Sequence, residues 1–294
     1  MNRKIILAFF AALIFFAAQA QTKARFVEYA SLPEQIMTSL IEAQAEQPYA
    51  SLESLRAISA KALDSKSLEL KDFAKPAKKT MSAPELVSSV REGSLMVCKY
   101  KRGFGAYDDF ILVGATAVAI SDDGLCVTNY HVMQAIVDQG QGMNPQDSLM
   151  FVADLNGKTY EIERVLAYNQ TADLAVLKVD TNKSKLSAFK LGDDAVVGQH
   201  VNTLTHPEGM PFYYSEGVVA CNATYDGDQW ENRTEITADF GVGSSGGPVF
   251  DDYGNLVAIV SSTQGVYAEN QQGRDLQMVI KMTIPVSSLK RLLQ

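Results

Sequence analysis

The chain has 294 residues, 47% of them hydrophobic and 20% charged, which is enough for one large or two small domains with an ample apolar core. Its 34 acidic and 26 basic residues give a formal charge of −8, which argues against nucleic acid or an anionic membrane as partner.

The first twenty residues read as an export signal. Arg3 and Lys4 precede the apolar run Ile5 to Ala18, and Ala18, Gln19 and Ala20 form a small-x-small site, so cleavage is expected after Ala20. The run is shorter than the roughly 20 residues a spanning helix needs, so no membrane anchor is expected after cleavage. The mature chain then carries 24 basic and 34 acidic residues and a charge near −10. Periplasmic or extracellular location follows from export.

Residues 21–82 read as a helical extension and linker. Leu32 to Ala45 and Leu52 to Leu63 place apolar residues at helical spacing among Glu, Gln, Ala and Lys, which predicts two amphipathic helices. Phe73 to Pro84, FAKPAKKTMSAP, carries prolines and lysines without a periodic apolar face and reads as a linker that could be nicked at Lys75 to Lys79. Three roles stay open for the extension: packing, propeptide and partner docking.

Residues 83–294 alternate short apolar strands with turn signals, the pattern of an all-β barrel protein. A short helix is expected over Pro84 to Glu92, capped by Ser82, and the first barrel strand over Ser94 to Tyr100. Residues 111–132, ILVGATAVAISDDGLCVTNYHV, read as strand, turn at Ser121 to Gly124, and a second strand that delivers His131. In TADLAVLKV, Thr171 and Asp173 precede the strand Leu174 to Val179. His200 falls in a strand after Gly198 and His206 in a turn before Pro207; both read as structural. A closing strand and short helix are expected over Ile284 to Leu293.

Residues 243–248, GSSGGP, carry the strongest chemical signal. A small residue, then Ser, then two glycines suits a nucleophile on a tight turn, where bulk would block substrate and amide donors alike. Ser245 is the candidate nucleophile, with the amides of Gly243 and Ser245 facing an oxyanion. His131 is the candidate general base, and Asp173 can fix its tautomer by accepting from Nδ1. Each residue alone has a plainer reading as a turn or surface residue. Together they occur in the order His, Asp, Ser, which the chymotrypsin architecture uses and the subtilisin and α/β-hydrolase folds do not.

No pair of His or Cys stands at metal-ligand spacing, and the chemistry requires neither metal nor cofactor. Cys98, Cys126 and Cys221 cannot all pair within one chain. Their apolar, strand-like contexts favour buried free thiols over one disulfide and a spare.

These residues resemble a trypsin-fold serine peptidase and, within that group, the protease domain of the HtrA (Deg) family. VTNYHV is similar to its histidine block, TADLAVLKVD to its aspartate block, LGDDAVVGQHV to the following strand and GSSGGPVFDDYGNLVAIVSS to its serine block. The resemblance covers roughly residues 84–290. It implies two six-stranded antiparallel barrels, with His131 and Asp173 on the first and Ser245 on the second, cleaving polypeptides that bind as an added strand. Members usually carry a PDZ domain after the peptidase; tethering or cage assembly through one is not implied here, and a homo-oligomer stays open. Before the serine the family shows an Asn, Pro, Gly, Asn run where this chain has Phe240 to Ser244. Asp239 stands six residues before Ser245, the spacing of the carboxylate that gives trypsin its basic preference, so a basic P1 is one expectation. The other is a small apolar pocket lined by Phe240 and Val242. The rival to an active endopeptidase is a catalytically silent binding module or envelope chaperone on the same barrels.

Overall fold

The computed structural model describes residues 26–70, 73–103, 108–138, 144–225, 227–270 and 273–294. The signal segment expected at residues 1–20 lies outside the described residues. Among the described residues, no helix is long and apolar enough to cross a membrane.

The helices are α1 (Leu32–Glu46), α2 (Leu52–Ser59), α3 (Ala83–Val90), α4 (Tyr130–Val137) and α5 (Val286–Leu293). The first barrel uses β2 (Ser94–Lys101), β3 (Phe110–Ala119), β4 (Leu125–Thr128), β5 (Asp147–Ala153), β6 (Thr159–Asn169) and β7 (Leu174–Val179). It runs β6-β5-β2-β3-β4-β7 and closes through β6 and β7, every pair antiparallel. A short strand β1 (Leu63–Asp64) adds in parallel to β6. The second barrel uses β9 (His200–Thr205), β10 (Tyr213–Thr224), β11 (Asn232–Ile236), β12 (Pro248–Phe250), β13 (Asn255–Asn270) and β14 (Gly273–Pro285). It runs β12-β9-β10-β11-β14-β13 and closes through β12 and β13, with β8 (Lys190–Leu191) added in parallel to β13. Two closed six-stranded antiparallel barrels are the expected all-β fold. Closure leaves these sheets without open edges around the barrel wall.

The apolar run Leu95 to Cys98 explains how the extension fits. A strand facing water on one side alternates, yet β2 is buried on both faces over its first half. Leu95 and Val97 pack inside the barrel, while Met96 and Cys98 pack outward under Leu32, Ile36 and Leu40 of α1. Leu52 and Leu55 of α2 join the barrel-side cluster. Further on, Leu68 and Leu70 donate backbone bonds to the carbonyls of Leu292 and Leu293 in α5, at 3.0 and 2.7 Å. Leu289 and Leu292 of α5 belong to a core that also takes Val118 and Val176 from the first barrel and Phe250 and Ile259 from the second. The extension and C-terminal helix therefore belong to the apolar interior.

Local expectations differ in detail. The second helix ends at Ser59, and the chain turns at Ser59 to Ala62 to reach β1. The 73–82 segment has no regular structure but is tied down, Ala77 exchanging two bonds with the Asn255 side chain at 2.6 and 3.0 Å. The cap of α3 is as expected: the Ser82 amide and hydroxyl both donate to Glu85 Oε2, at 2.9 and 2.8 Å. The cysteines are free; Cys98 and Cys126 are buried, but Cys221 is exposed, because β10 has one face in water. Burial pushes the Cys126 thiol up to about 12, so it is inert as a nucleophile at neutral pH.

Candidate active site

His131 lies in the first turn of α4 rather than at the end of a strand, because Asn129 breaks the extended run of β4 and begins the helix. The Asn129 side chain is buried and donates to the Asp173 carbonyl at 3.0 Å, pinning the two loops together. Asp173 sits in the tight turn between β6 and β7 with φ +60°, a left-handed conformation that Asp tolerates better than most residues. Two bonds hold that turn, from Ala172 N to Asn169 Oδ1 at 2.7 Å and from Asp173 N to Gln170 O at 3.1 Å.

The carboxylate of Asp173 is fully engaged. His131 Nδ1 lies 3.0 Å from each of its oxygens, the His131 amide donates to Oδ1 at 3.0 Å, and Ser261 Oγ donates to Oδ2 at 2.8 Å. The His131 amide is one of the unpaired donors at the start of α4, so a carboxylate there also meets the positive end of the helix. With Nδ1–H held by Asp173, Nε2 is left as the basic nitrogen. The His131 side chain is 46% exposed and that of Asp173 only 17%, so the base meets solvent while its partner is sheltered.

Ser245 stands on the other barrel, in the loop before β12. Its hydroxyl donates to the Ser261 carbonyl at 3.4 Å, a weak bond, and no Ser245 to His131 bond is formed among the described residues. The loop's peptide planes are fixed from behind. Val242 O accepts from Glu208 N at 2.7 Å and Ser244 O from Gly247 N at 2.9 Å. Since N–H lies opposite C=O in a trans peptide, these bonds turn the Gly243 and Ser245 amides to the other side, where neither meets an acceptor among the described residues. Thr116 Oγ1 of the first barrel also donates to Gly243 O at 3.0 Å.

Glycine is required at 243. Its φ is +92°, and an added Cβ would stand 2.5 Å from the His206 carbonyl. Gly243→Ala is expected to displace the amide and lower kcat by about 10²–10³, the usual loss for one oxyanion donor, which steady-state assay with a peptide ester would measure. His206, placed structurally as expected, is buried against Phe212 and accepts from the Phe212 amide through Nδ1 at 3.0 Å. Burial depresses its pKa from 6.5 to about 3. The unfolded chain therefore binds a proton that the folded one refuses, so this contribution to stability is complete above pH 6.5 and is lost as pH falls toward 3. Urea midpoints that did not fall between pH 7 and pH 4 would contradict this.

Several contributors were not legible in the sequence. Ser261 serves both Asp173 and Ser245; it falls at the end of the serine block, but nothing in the block marks it as a partner of Asp173. Arg233 enters from β11 and donates through Nη2 to the Thr171 carbonyl at 3.0 Å, while Nη1 binds the carbonyls of Trp230 and Asn232 at 3.1 and 2.9 Å. It thereby clamps the Asp173 turn to the second barrel. Burial lowers the Arg233 pKa, an effect the charge of Asp173 opposes. His131, Asp173, Arg233, Tyr225, Gln264 and Met282 line part of a cleft of about 680 Å³ between the barrels.

The expected specificity residues are dispersed. Asp239 is ion-paired with Lys281 Nζ at 2.5 Å. Phe240 is buried in the core of the second barrel, with that ammonium 5.2 Å from its ring centroid, and Val242 is exposed. His200 has an acidic partner that its sequence context did not suggest, with Nδ1 at 2.7 Å from Asp252 Oδ1. Among the described residues, no group of three or more His, Cys, Asp or Glu could hold a metal ion.

A trypsin-like peptidase domain matches residues 115–259, from within β3 of the first barrel to within β13 of the second. The curated relatives include the chloroplastic Protease Do-like 5 of Arabidopsis thaliana, 27% identical over 57% of this chain and 52% of its own length. Another is a probable periplasmic serine endoprotease, DegP-like, of Halomonas elongata, 32% identical over 48% of this chain and 28% of its own length. The chain thus spans about half of the first of these and less of the second. Among solved structures, that of Deg5 matches with a TM-score of 0.52 at 21% identity, over 72% of this chain and 94% of its own. The HtrA-type protease AlgW with a tripeptide matches with a TM-score of 0.52 at 21% identity, over 71% and 62%. In fold the chain is a trypsin-type double barrel, and over about half its length its sequence is similar to HtrA-type serine proteases.

Proposed function

We propose that this protein is an exported serine endopeptidase acting on extended polypeptide. The observation that carries the reading is the join across the barrels at Ser261: its hydroxyl supports Asp173 and its carbonyl holds Ser245. The chain order, the His131 to Asp173 geometry and the two unpaired loop amides support it. When a peptide enters, the N–H on the acyl side of the reacting carbonyl competes for the Ser261 carbonyl and frees the Ser245 hydroxyl to turn toward His131 Nε2. Ser245 Oγ then bonds to the carbonyl carbon as its proton passes to Nε2, and the carbonyl electrons move to the oxygen facing the Gly243 and Ser245 amides. Collapse breaks the C–N bond, and the leaving amine takes the proton from Nε2. Water repeats the sequence on the acyl-enzyme and restores Ser245.

Three measurements test parts of this reading. A fluorophosphonate probe should label Ser245, identified by mass spectrometry, with casein cleaved by the same protein and neither result with Ser245→Ala. No labelling of the intact protein would favour the silent binding module. Arg233→Gln should release the Asp173 turn and cut kcat by roughly 10- to 100-fold, with KM little changed; an unchanged kcat would remove the clamp from the mechanism. Since Asp239 is already paired with Lys281, a Lys or Arg at P1 finds no unpaired carboxylate there. Peptide-library profiling is expected to show no enrichment of Lys or Arg at P1.

A further inference from the structure

β13 does not end where the barrel ends. Its last pairing on the β12 side is at Val260, which accepts from Gly246 N at 2.9 Å and donates to Gly247 O at 2.8 Å. From Ser261 onward its only backbone partner among the described residues is β14, reaching Asn270 opposite Gly273. β14 in turn leaves β11 at Lys281 opposite Ile236, so beyond Thr263 and Lys281 the two strands leave the barrel as a two-stranded ribbon. The free edge of β13 thus begins at Ser261, beside the nucleophile. The eight residues 262–269 continue it for roughly 27 Å at about 3.4 Å per residue.

Such an edge is normally blunted by lysine, proline, a bulge or a covering element, because it templates strand addition. This one is not defended. Residues 261–269, SSTQGVYAE, hold a single charge at Glu269 and no proline, and the one register shift beyond Ser262, between Val266 and Tyr267, puts its extra residue, Gln277, on β14 and leaves the β13 edge continuous. The ribbon is exposed and partly apolar, with Tyr267 at 47%, Leu276 at 55% and Met278 at 56% exposure.

We infer that the free edge of β13 from Thr263 to Glu269 is a substrate-binding rail for the polypeptide upstream of the scissile bond, pairing with it far beyond the residues next to the cut. Direction follows from the chemistry. The leaving nitrogen must face His131 to be protonated, so the downstream chain departs on that side. The acyl side carries the N–H nearest Ser261 O, and the chain behind it runs antiparallel along β13. Recognition on the rail is through main-chain groups, so it selects extended chains of sufficient length rather than a particular sequence. The inference rests on the peptidase reading, and its test separates the two.

The test uses full-length Ser245→Ala, which binds without cutting, and fluorescent peptides sharing one cleavable core with either four or nine residues upstream. The longer peptide should bind about tenfold tighter by anisotropy and should slow amide exchange over residues 263–269. N-methylation of its alternate upstream amides on the rail-facing side should abolish the gain. So should replacement of residues 265–279 by an Asn-Gly turn, which leaves the barrel register through Gln264 opposite Ile280. Cleavage of the short peptide by unmodified protein reports the peptidase reading separately and should survive that replacement. Equal affinity for both peptides, a gain that survives N-methylation, or edge protection that instead rises with protein concentration through dimer formation would each overturn the rail.

Discussion

Asp173→Asn is expected to leave the fold intact and lower kcat by about 10⁴, with substrate binding little changed. The carboxylate accepts from the His131 ring, the His131 amide and the Ser261 hydroxyl together. An amide offers one acceptor and one NH2 donor. If its oxygen keeps the His131 main-chain bond, its NH2 confronts either the ring nitrogen or the Ser261 hydroxyl. The hydroxyl can turn its hydrogen away, but the ring can adapt only by taking the tautomer with Nε2 protonated, and that nitrogen then cannot receive the Ser245 proton. Stability should change little, because the turn is also held by Asn129 and Arg233. Pre-steady-state acylation with an activated ester would isolate the step. A variant with near-normal acylation would show that Asp173 does not set the tautomer.

Removing residues 21–70 is expected to unfold the protein rather than activate it. Ile36 and Leu55 are almost fully buried, as are Leu40 and Leu52, and they cover one side of the first barrel. Truncating one such side chain costs about 2–5 kcal/mol, whereas a whole domain is stable by about 5–15 kcal/mol. Deletion also strips the outer cover from Met96 and Cys98 and the α5 contacts of Leu68 and Leu70. Ile36→Ala alone should cost about 2–4 kcal/mol in urea unfolding. A soluble, cooperative and more active deletion product would instead establish a propeptide.

Among the three roles open for the extension, the burial favours packing. The helices announced themselves by spacing, and Ser94 to Tyr100 read as the first barrel strand. Nothing in either stretch says that one covers the other, because apolar contact carries no sequence address. The site divides in the same way. His131, Asp173 and Ser245 stood out because each sits in a local block with a chemical reason for its residue types. Ser261 and Arg233 gave no such signal because their bonds to Asp173 and to the Thr171 carbonyl form only once the two barrels meet. Asp239 shows the same division: its spacing from Ser245 is local, but its ion-pair partner Lys281 arrives from β14.

An all-β barrel fold, the chain order of His131, Asp173 and Ser245, and small residues at the turn that carries Ser245 were all legible in the chain, since strand periodicity, turn chemistry and steric demand are written in neighbouring residues. Which faces the extension buries, which loop amides lack acceptors among the described residues and where β13 runs free emerge once the chain is folded. Those are properties of pairing between distant segments, and the energy of pairing depends on distance in space, which sequence separation does not record.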